Sequence, residues 1–210
     1  MVESPRFGLA AVAMPRQKQK IAQALAGKVD SLSAQFADLL EDAMELSEDG
    51  RILTAVINNS KRAFDFSVAL QEATWPVNVR FALVSAPPAG AAGRITVIRD
   101  KAATTLLQAD SNCAFHFDLP SKSQPELGMA SALVKLHGSL TAEWTESRAN
   151  ALRSYRQHGK QSEVAEELGV SQQAVSQMLR GARFRELEDA EIAMRDWLAG
   201  PKRATLWPPR

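Results

Sequence analysis

Apolar positions in the first part of the chain switch between a strand period and a helix period. FGLAAVAM (7–14) is a short apolar run of the kind a buried strand needs. Ile21, Leu25, Val29, Leu32, Phe36 and Leu39 follow at spacings of three and four, which predicts one long amphipathic helix. MEL and RILTAVI flank the turn signal EDG (48–50) and predict a hairpin. NNSKRAFDFSVALQEA (58–73) predicts a helix with Asn59 or Ser60 as its N-cap. VNVRFALVS (77–85) alternates Val77, Val79, Phe81 and Leu83 on one face, as a strand does. PPAGAAG (87–93) predicts a loop, RITVI (94–98) a strand, DKAATTLLQAD (100–110) a short helix and NCAFHFDL (112–119) a last strand. Cys113, Phe115 and Phe117 fall on the buried face of that strand and His116 on the other.

The period then becomes helical throughout. PSKSQPE (120–126) has the Pro/Ser composition of a linker, so the chain divides into an α/β unit (1–119), the linker, an all-helical unit (127–199) and a tail (200–210). In the helical unit LGMASALVKLHGSL forms one helix, and Thr145 caps ESRANALRSYRQHG, whose Leu152 and Tyr155 face inward and whose Gly159 ends it. FRELEDAEIAMRDWLA (184–199) is a last helix turning Leu187, Ala190, Ile192, Met194 and Leu198 inward, either to pack on its neighbours or to mediate pairing. The fold class is α+β, a ferredoxin-like or palm-like α/β unit followed by an all-α unit.

QSEVAEELGVSQQAVSQMLR (161–180) carries the most specific signal. Val164 and Leu168 share one helical face, and Val175 and Leu179, with Met178 beside them, repeat the spacing beyond a turn. Gly169 suits the left-handed end of the first helix, Val170 plugs the corner, Ser171 caps the second helix, and Ala165 keeps the crossing close. This is a helix-turn-helix. On the outer face of its second helix stand Gln172, Gln173, Ser176, Gln177 and Arg180, side chains able to bond adenine and guanine edges in a major groove. A solvated helical hairpin in an ordinary bundle is the alternative.

Charge changes the picture only locally. With 25 Lys+Arg against 24 Asp+Glu there is no global field for nucleic acid. Yet Arg148, Arg153, Arg156 and Lys160 precede the motif, and Arg183 and Arg185 follow it; with Ser171 they are the candidate phosphate contacts. Glu163, Glu166 and Glu167 would repel a phosphate backbone, so the first helix of the pair presents another side. A length of 210 residues with 45% hydrophobic content suits a globular protein, no apolar run reaches membrane-spanning length, and a cytoplasmic location is expected. One cysteine makes no internal disulfide, and His116, His137 and His158 are unclustered, each read as satisfied or solvated. The glycines of PAGAAGR lack the Lys-Ser or Lys-Thr of a phosphate-binding loop, and no nucleophile elbow occurs. Neither catalytic residue, metal nor cofactor is expected.

The chain resembles the SatD family, a bacterial group with an N-terminal α/β domain and, in many members, a C-terminal helix-turn-helix. VAEELGVSQQAVSQMLR (164–180) carries the resemblance, with WPVNVRFALVSA and RDKAATTLLQADSNCAFHFDL similar to family strands and helix. The family's pattern of an acidic residue after the first strand and a Gly-Asp-Glu-Phe-type hairpin invites comparison with palm-like nucleotide cyclases. Here AVAMPRQ and RILTAVINN stand at those places, without the carboxylates that two-metal phosphoryl transfer needs. The resemblance implies a sequence-specific DNA-binding regulator, expected to pair as a homodimer because one reading helix covers few base pairs. Two other classes stand beside it: a cyclase-like enzyme using Glu48 or Asp49, and an adaptor using the hairpin on a partner protein.

Overall fold

The first strand, β1 (Phe7–Ala13), is apolar on both faces, which suits only a strand covered from both sides. The computed structural model describes residues 6–15, 19–85 and 95–200; the expected 87–93 loop and the tail beyond Gly200 lie outside them. Around β1 the described residues form one five-stranded sheet in the order β2-β3-β1-β4-β5. Its other strands are β2 (Glu45–Leu46), β3 (Ile52–Ile57), β4 (Val79–Ser85) and β5 (Phe115–Asp118). β1 runs antiparallel to β3 (Leu9 opposite Ala55) and to β4 (Leu9 opposite Leu83), while β5 joins β4 in parallel (Leu83 opposite Phe117). The β2–β3 hairpin is the expected one. Its turn is held by Asp49, whose Oδ1 accepts from Ser47 Oγ at 2.7 Å and Arg51 N at 3.0 Å, and Gly50 takes the left-handed conformation (φ 67°).

Helices cover both faces. Phe7, Leu9 and Ala11 point to the side of α1 (Ile21–Ala24), α2 (Val29–Gln35) and α3 (Ala63–Thr74). Ala10, Ala82 and Val84 point to α4 (Ile95–Gln108). A Cβ on Gly8 would lie 2.7 Å from the Ile98 carbonyl oxygen, so glycine is what lets α4 lie this close to β1. Asn59 does cap, as expected, accepting from Lys61 N at 3.0 Å, but it caps a single 3-10 turn (Ser60–Arg62) that leads into α3.

Four sequence expectations are corrected. The stripe from Ile21 to Leu39 is not one helix: Gly27 (φ 72°) breaks it into α1 and α2, and both halves still turn their apolar residues to the same core. Of the expected strand RITVI, Arg94 lies outside the described residues, and ITVI (95–98) is the start of α4, whose buried residues Ile98, Ala102 and Leu106 repeat every four. Cys113 is not a buried strand residue; it precedes β5, half-exposed, with Sγ 3.1 Å from the Phe115 carbonyl. Residues 124–126 of the expected linker are helical, because Ser123 and Glu126 form a capping box that starts α5 (Gln124–Ala142), with Pro125 in its first turn.

Beyond α5 come α6 (Glu146–His158), α7 (Gln161–Leu168), α8 (Gln172–Gly181) and α9 (Phe184–Ala199). Trp144, Leu152, Val164, Ala165, Val175, Leu179 and Leu187 form a second core among them. The two regions are not independent in packing: Ala130 and Val134 of α5 and Met194 and Leu198 of α9 belong to the core under the sheet. Ile192, expected to face inward, is exposed, and Glu191 takes the buried position beside it. Among the described residues no helix is long and apolar enough to cross a membrane.

Candidate nucleic-acid interface

The local chemistry of the α6–α8 unit follows the sequence closely. Thr145 accepts from Arg148 N and starts α6, while Gly159 (φ 73°) ends it. Gly169 (φ 64°) ends α7, and Ser171 Oγ accepts from Ala174 N at 3.1 Å to start α8. The corner is closed by backbone rather than by a side-chain plug. Val170 N donates to Ala165 O at 3.0 Å, while the Val170 side chain, expected to fill the corner, is exposed. At the far end Trp144 Nε1 donates to Ala182 O at 3.1 Å and pins the end of α8 to the start of α6.

Val175 and Leu179 are buried, which fixes the rotation of α8. Gln172, Gln173, Gln177 and Arg180 are exposed on its outer side and Ser176 is half-buried. Gln173, Gln177 and Arg180 recur at four and three residues and so form one continuous row. At the end of that row lies a cleft of about 430 Å³ lined by Arg148, Gln177, Arg180, Gly181 and Arg183, with Glu143 as its one carboxylate. Arg148 lies across Gly181, where a Cβ would fall 2.7 Å from its Nε. Arg183 is exposed and left-handed (φ 58°), its guanidinium 3.6 Å from Glu186. Lys160 is exposed and bonds Glu163 at 2.8 Å; Arg185 is exposed. Two of the three acids of α7 turn back toward α6: Glu163 and Glu167 meet His158 at 3.4 and 3.1 Å, and Ser154 Oγ donates to Glu167, while Glu166 is exposed.

Two of the expected phosphate contacts, Arg153 and Arg156, have partners within the protein. Arg153 NH1 donates to Glu72 O at 3.0 Å and NH2 to Asn150 Oδ1 at 2.5 Å. Arg156 Nε donates to Glu72 Oε1 at 2.8 Å, and its NH1 and NH2 reach Glu191 Oε2 and Oε1 at 3.0 and 2.6 Å. Both arginines are engaged between α6 and the helices α3 and α9. Glu191 also meets His137 Nε2 of α5 at 3.3 Å, so one buried network joins four helices from both cores. Burial pushes the Glu72 carboxyl up to about 7, against the pull of Arg156. Burial would do the same to Glu191, but hydrogen bonds from His137 and Arg156 outweigh it and hold that carboxyl down at about 2.

Sequence reasoning missed Glu72, Glu191 and this role for His137, although a signal exists for two of them. Leu187, Glu191, Met194 and Leu198 are the buried positions of α9, and Ala130, Val134, His137 and Thr141 those of α5, so each polar residue sits in an apolar stripe. Glu48 and Asp49 lie in the β2–β3 turn, where Asp49 is used to hold the turn.

No protein-family model and no curated protein matches the chain. Among solved structures it is similar to the crystal structure of a regulator of polyketide synthase expression from Bifidobacterium adolescentis. The identity is 14% over 93% of this chain and 80% of that one, with a TM-score of 0.27.

Proposed function

We propose that the chain is a sequence-specific DNA-binding protein of the transcription-regulator kind, with α7 and α8 as its helix-turn-helix and α8 as the reading helix. The observation that carries this is the exposed row Gln173, Gln177 and Arg180 on a helix whose rotation is fixed by buried Val175 and Leu179. Glutamine and arginine are the side chains that bond adenine and guanine bidentately, and a bare helix face is what a major groove admits. Arg148 and Arg183 beside Gly181 supply phosphate contacts at one end of the row, Ser171 at the other, and Lys160 from the start of α7. The sheet unit has the strand order β4-β1-β3-β2 of a ferredoxin-like or palm-like fold with β5 added, and serves as a sensing or pairing module. A homodimer, and membership of the SatD-like group on residues 164–180, are part of the same proposal.

Selection of duplexes from a random pool, followed by binding measurements at several salt concentrations, tests this. A preferred sequence and a salt slope of several units are expected. A protein adaptor would give neither.

Alanine at Gly181 separates reading from folding. The substitution favours the helix by up to about 1 kcal/mol, but its Cβ displaces the flexible end of Arg148. An unchanged or raised melting temperature with several-fold weaker DNA binding is expected. Weakened folding, or full affinity, would remove Arg148 from the contact set.

A further inference from the structure

A cleft of about 1150 Å³ lies between α2 and α3 on one side and α6 and α9 on the other. Most of its charges are neutralised by their neighbours. Arg62 pairs with Asp38, Arg156 with Glu72 and Glu191, and Arg195 with Asp65 at 2.6 Å. Lys28 and Arg153 differ. Among the described residues neither has a carboxylate within 4 Å; they hold successive carbonyl oxygens at the end of α3, Lys28 Nζ donating to Ala73 O at 2.5 Å and Arg153 NH1 to Glu72 O at 3.0 Å. Two cations are therefore held side by side at the negative end of a helix, which offers about half a unit charge, and the Glu72 carboxyl, which Arg153 faces beyond ion-pair distance, is already paired with Arg156. The Lys28 ammonium registers the cost: burial first, and then Arg153, lower its pKa.

We propose that this cleft binds a small organic phosphate, its anionic end seated between Lys28 and Arg153. A phosphate accepts from an arginine fork and an ammonium together, and it removes the repulsion between them. The cleft is far larger than one phosphate requires, and Phe36, Tyr155 and Phe184 line it, so the remainder of the ligand has rings to pack against. Glu188 on α9 is the lining carboxylate without a basic partner among the described residues, which favours seating the anion at the Lys28 end. An occupant of this cleft touches α2 of the sheet unit and α6 of the trihelical unit at once. Control of DNA reading by such a ligand rests on the proposal above; the binding itself does not.

Titration calorimetry of the full chain with phenyl phosphate tests it, with phenol and inorganic phosphate as controls. Saturable 1:1 binding is expected, tighter than that of either control. Lys28→Gln and Arg153→Gln should each weaken it by about tenfold, since an amide still donates to the same carbonyl but carries no charge. Lys135→Gln, on the exposed side of α5, should leave it unchanged. Thermal melts of the unliganded variants should match the wild type, so that a loss of binding reads on the site. No saturable binding at millimolar concentration, equal binding of phenol, or a Lys135→Gln loss as large as the other two would overturn the proposal. Wild-type phenyl phosphate binding by Arg153→Gln, together with lost DNA binding, would do so too and would return Arg153 to the DNA.

Discussion

Replacing Arg156 with alanine is expected to cost about 3 kcal/mol of folding stability, the low end for breaking a buried ion network from one side. The guanidinium makes three hydrogen bonds of 2.6 to 3.0 Å to Glu72 and Glu191, whose side chains are only 8% and 2% exposed. Without it Glu72 has no cation of its own and Glu191 keeps His137 at 3.3 Å and Arg195 at 3.6 Å. The figure sits at the low end because the Arg156 side chain is 27% exposed and water can replace part of what is lost. At mildly alkaline pH, Glu72→Gln in the alanine background should recover part of the loss, since it removes a carboxyl that burial without Arg156 makes costly to ionise, and urea unfolding of the four proteins in the cycle measures the coupling. An alanine variant as stable as the wild type would mean the network contributes nothing net. Because the network spans α3, α5, α6 and α9, the loss should appear in one unfolding transition of the whole chain.

The second large effect is on pH dependence, and it runs in two directions. Glu72 has its folded pKa raised from 4.5 to about 7, so the folded state binds more protons than the unfolded one in that interval. Its contribution is fully present below pH 4.5 and is lost as pH rises through about 7, a fall of about 3 kcal/mol. Glu191 has its pKa lowered from 4.5 to about 2, so its contribution is present above pH 4.5 and lost as pH falls toward 2, by a similar amount. The groups facing this pair are Arg153, Arg156, Arg195 and His137, drawn from α6, α9 and α5. Stability should therefore peak in the mildly acidic range. Glu72→Gln should flatten the limb above the peak and leave the acidic limb in place. Urea midpoints across the pH range decide it, and a wild-type profile flat from mildly acidic to mildly alkaline pH would contradict the assignment of Glu72.

What could be seen in the sequence was local, and what could not was held by distant partners. Thr145, Gly159, Gly169 and Ser171 act within three or four residues of themselves, and each does what its residue type predicts. The strands of β1, β3 and β4 were visible because their neighbours bury them evenly. Ser123 and Glu126 also act locally, but their Pro/Ser company reads equally as a linker, and the capping box decides otherwise. RITVI misleads because its β-branched residues suit a strand, whereas the space left by Gly8 accommodates a helix. The break at Gly27 is hidden because α1 and α2 both follow the sheet, so the three-four spacing survives it. Arg156 could not be placed from its surroundings at all: its partners Glu72 and Glu191 lie 84 and 35 residues away, and a basic residue near a helix-turn-helix reads as a phosphate contact until they are seen.

The reading role of α8 is tested most directly by alanine at Gln173, an exposed residue whose loss disturbs no core. Binding of wild type and variant is measured by fluorescence anisotropy on the duplex obtained by selection and on a scrambled duplex of equal length. The account predicts a loss of roughly 1 to 3 kcal/mol on the selected duplex, little change on the scrambled one and an unchanged salt slope. Equal losses on both duplexes, or none on either, would contradict it.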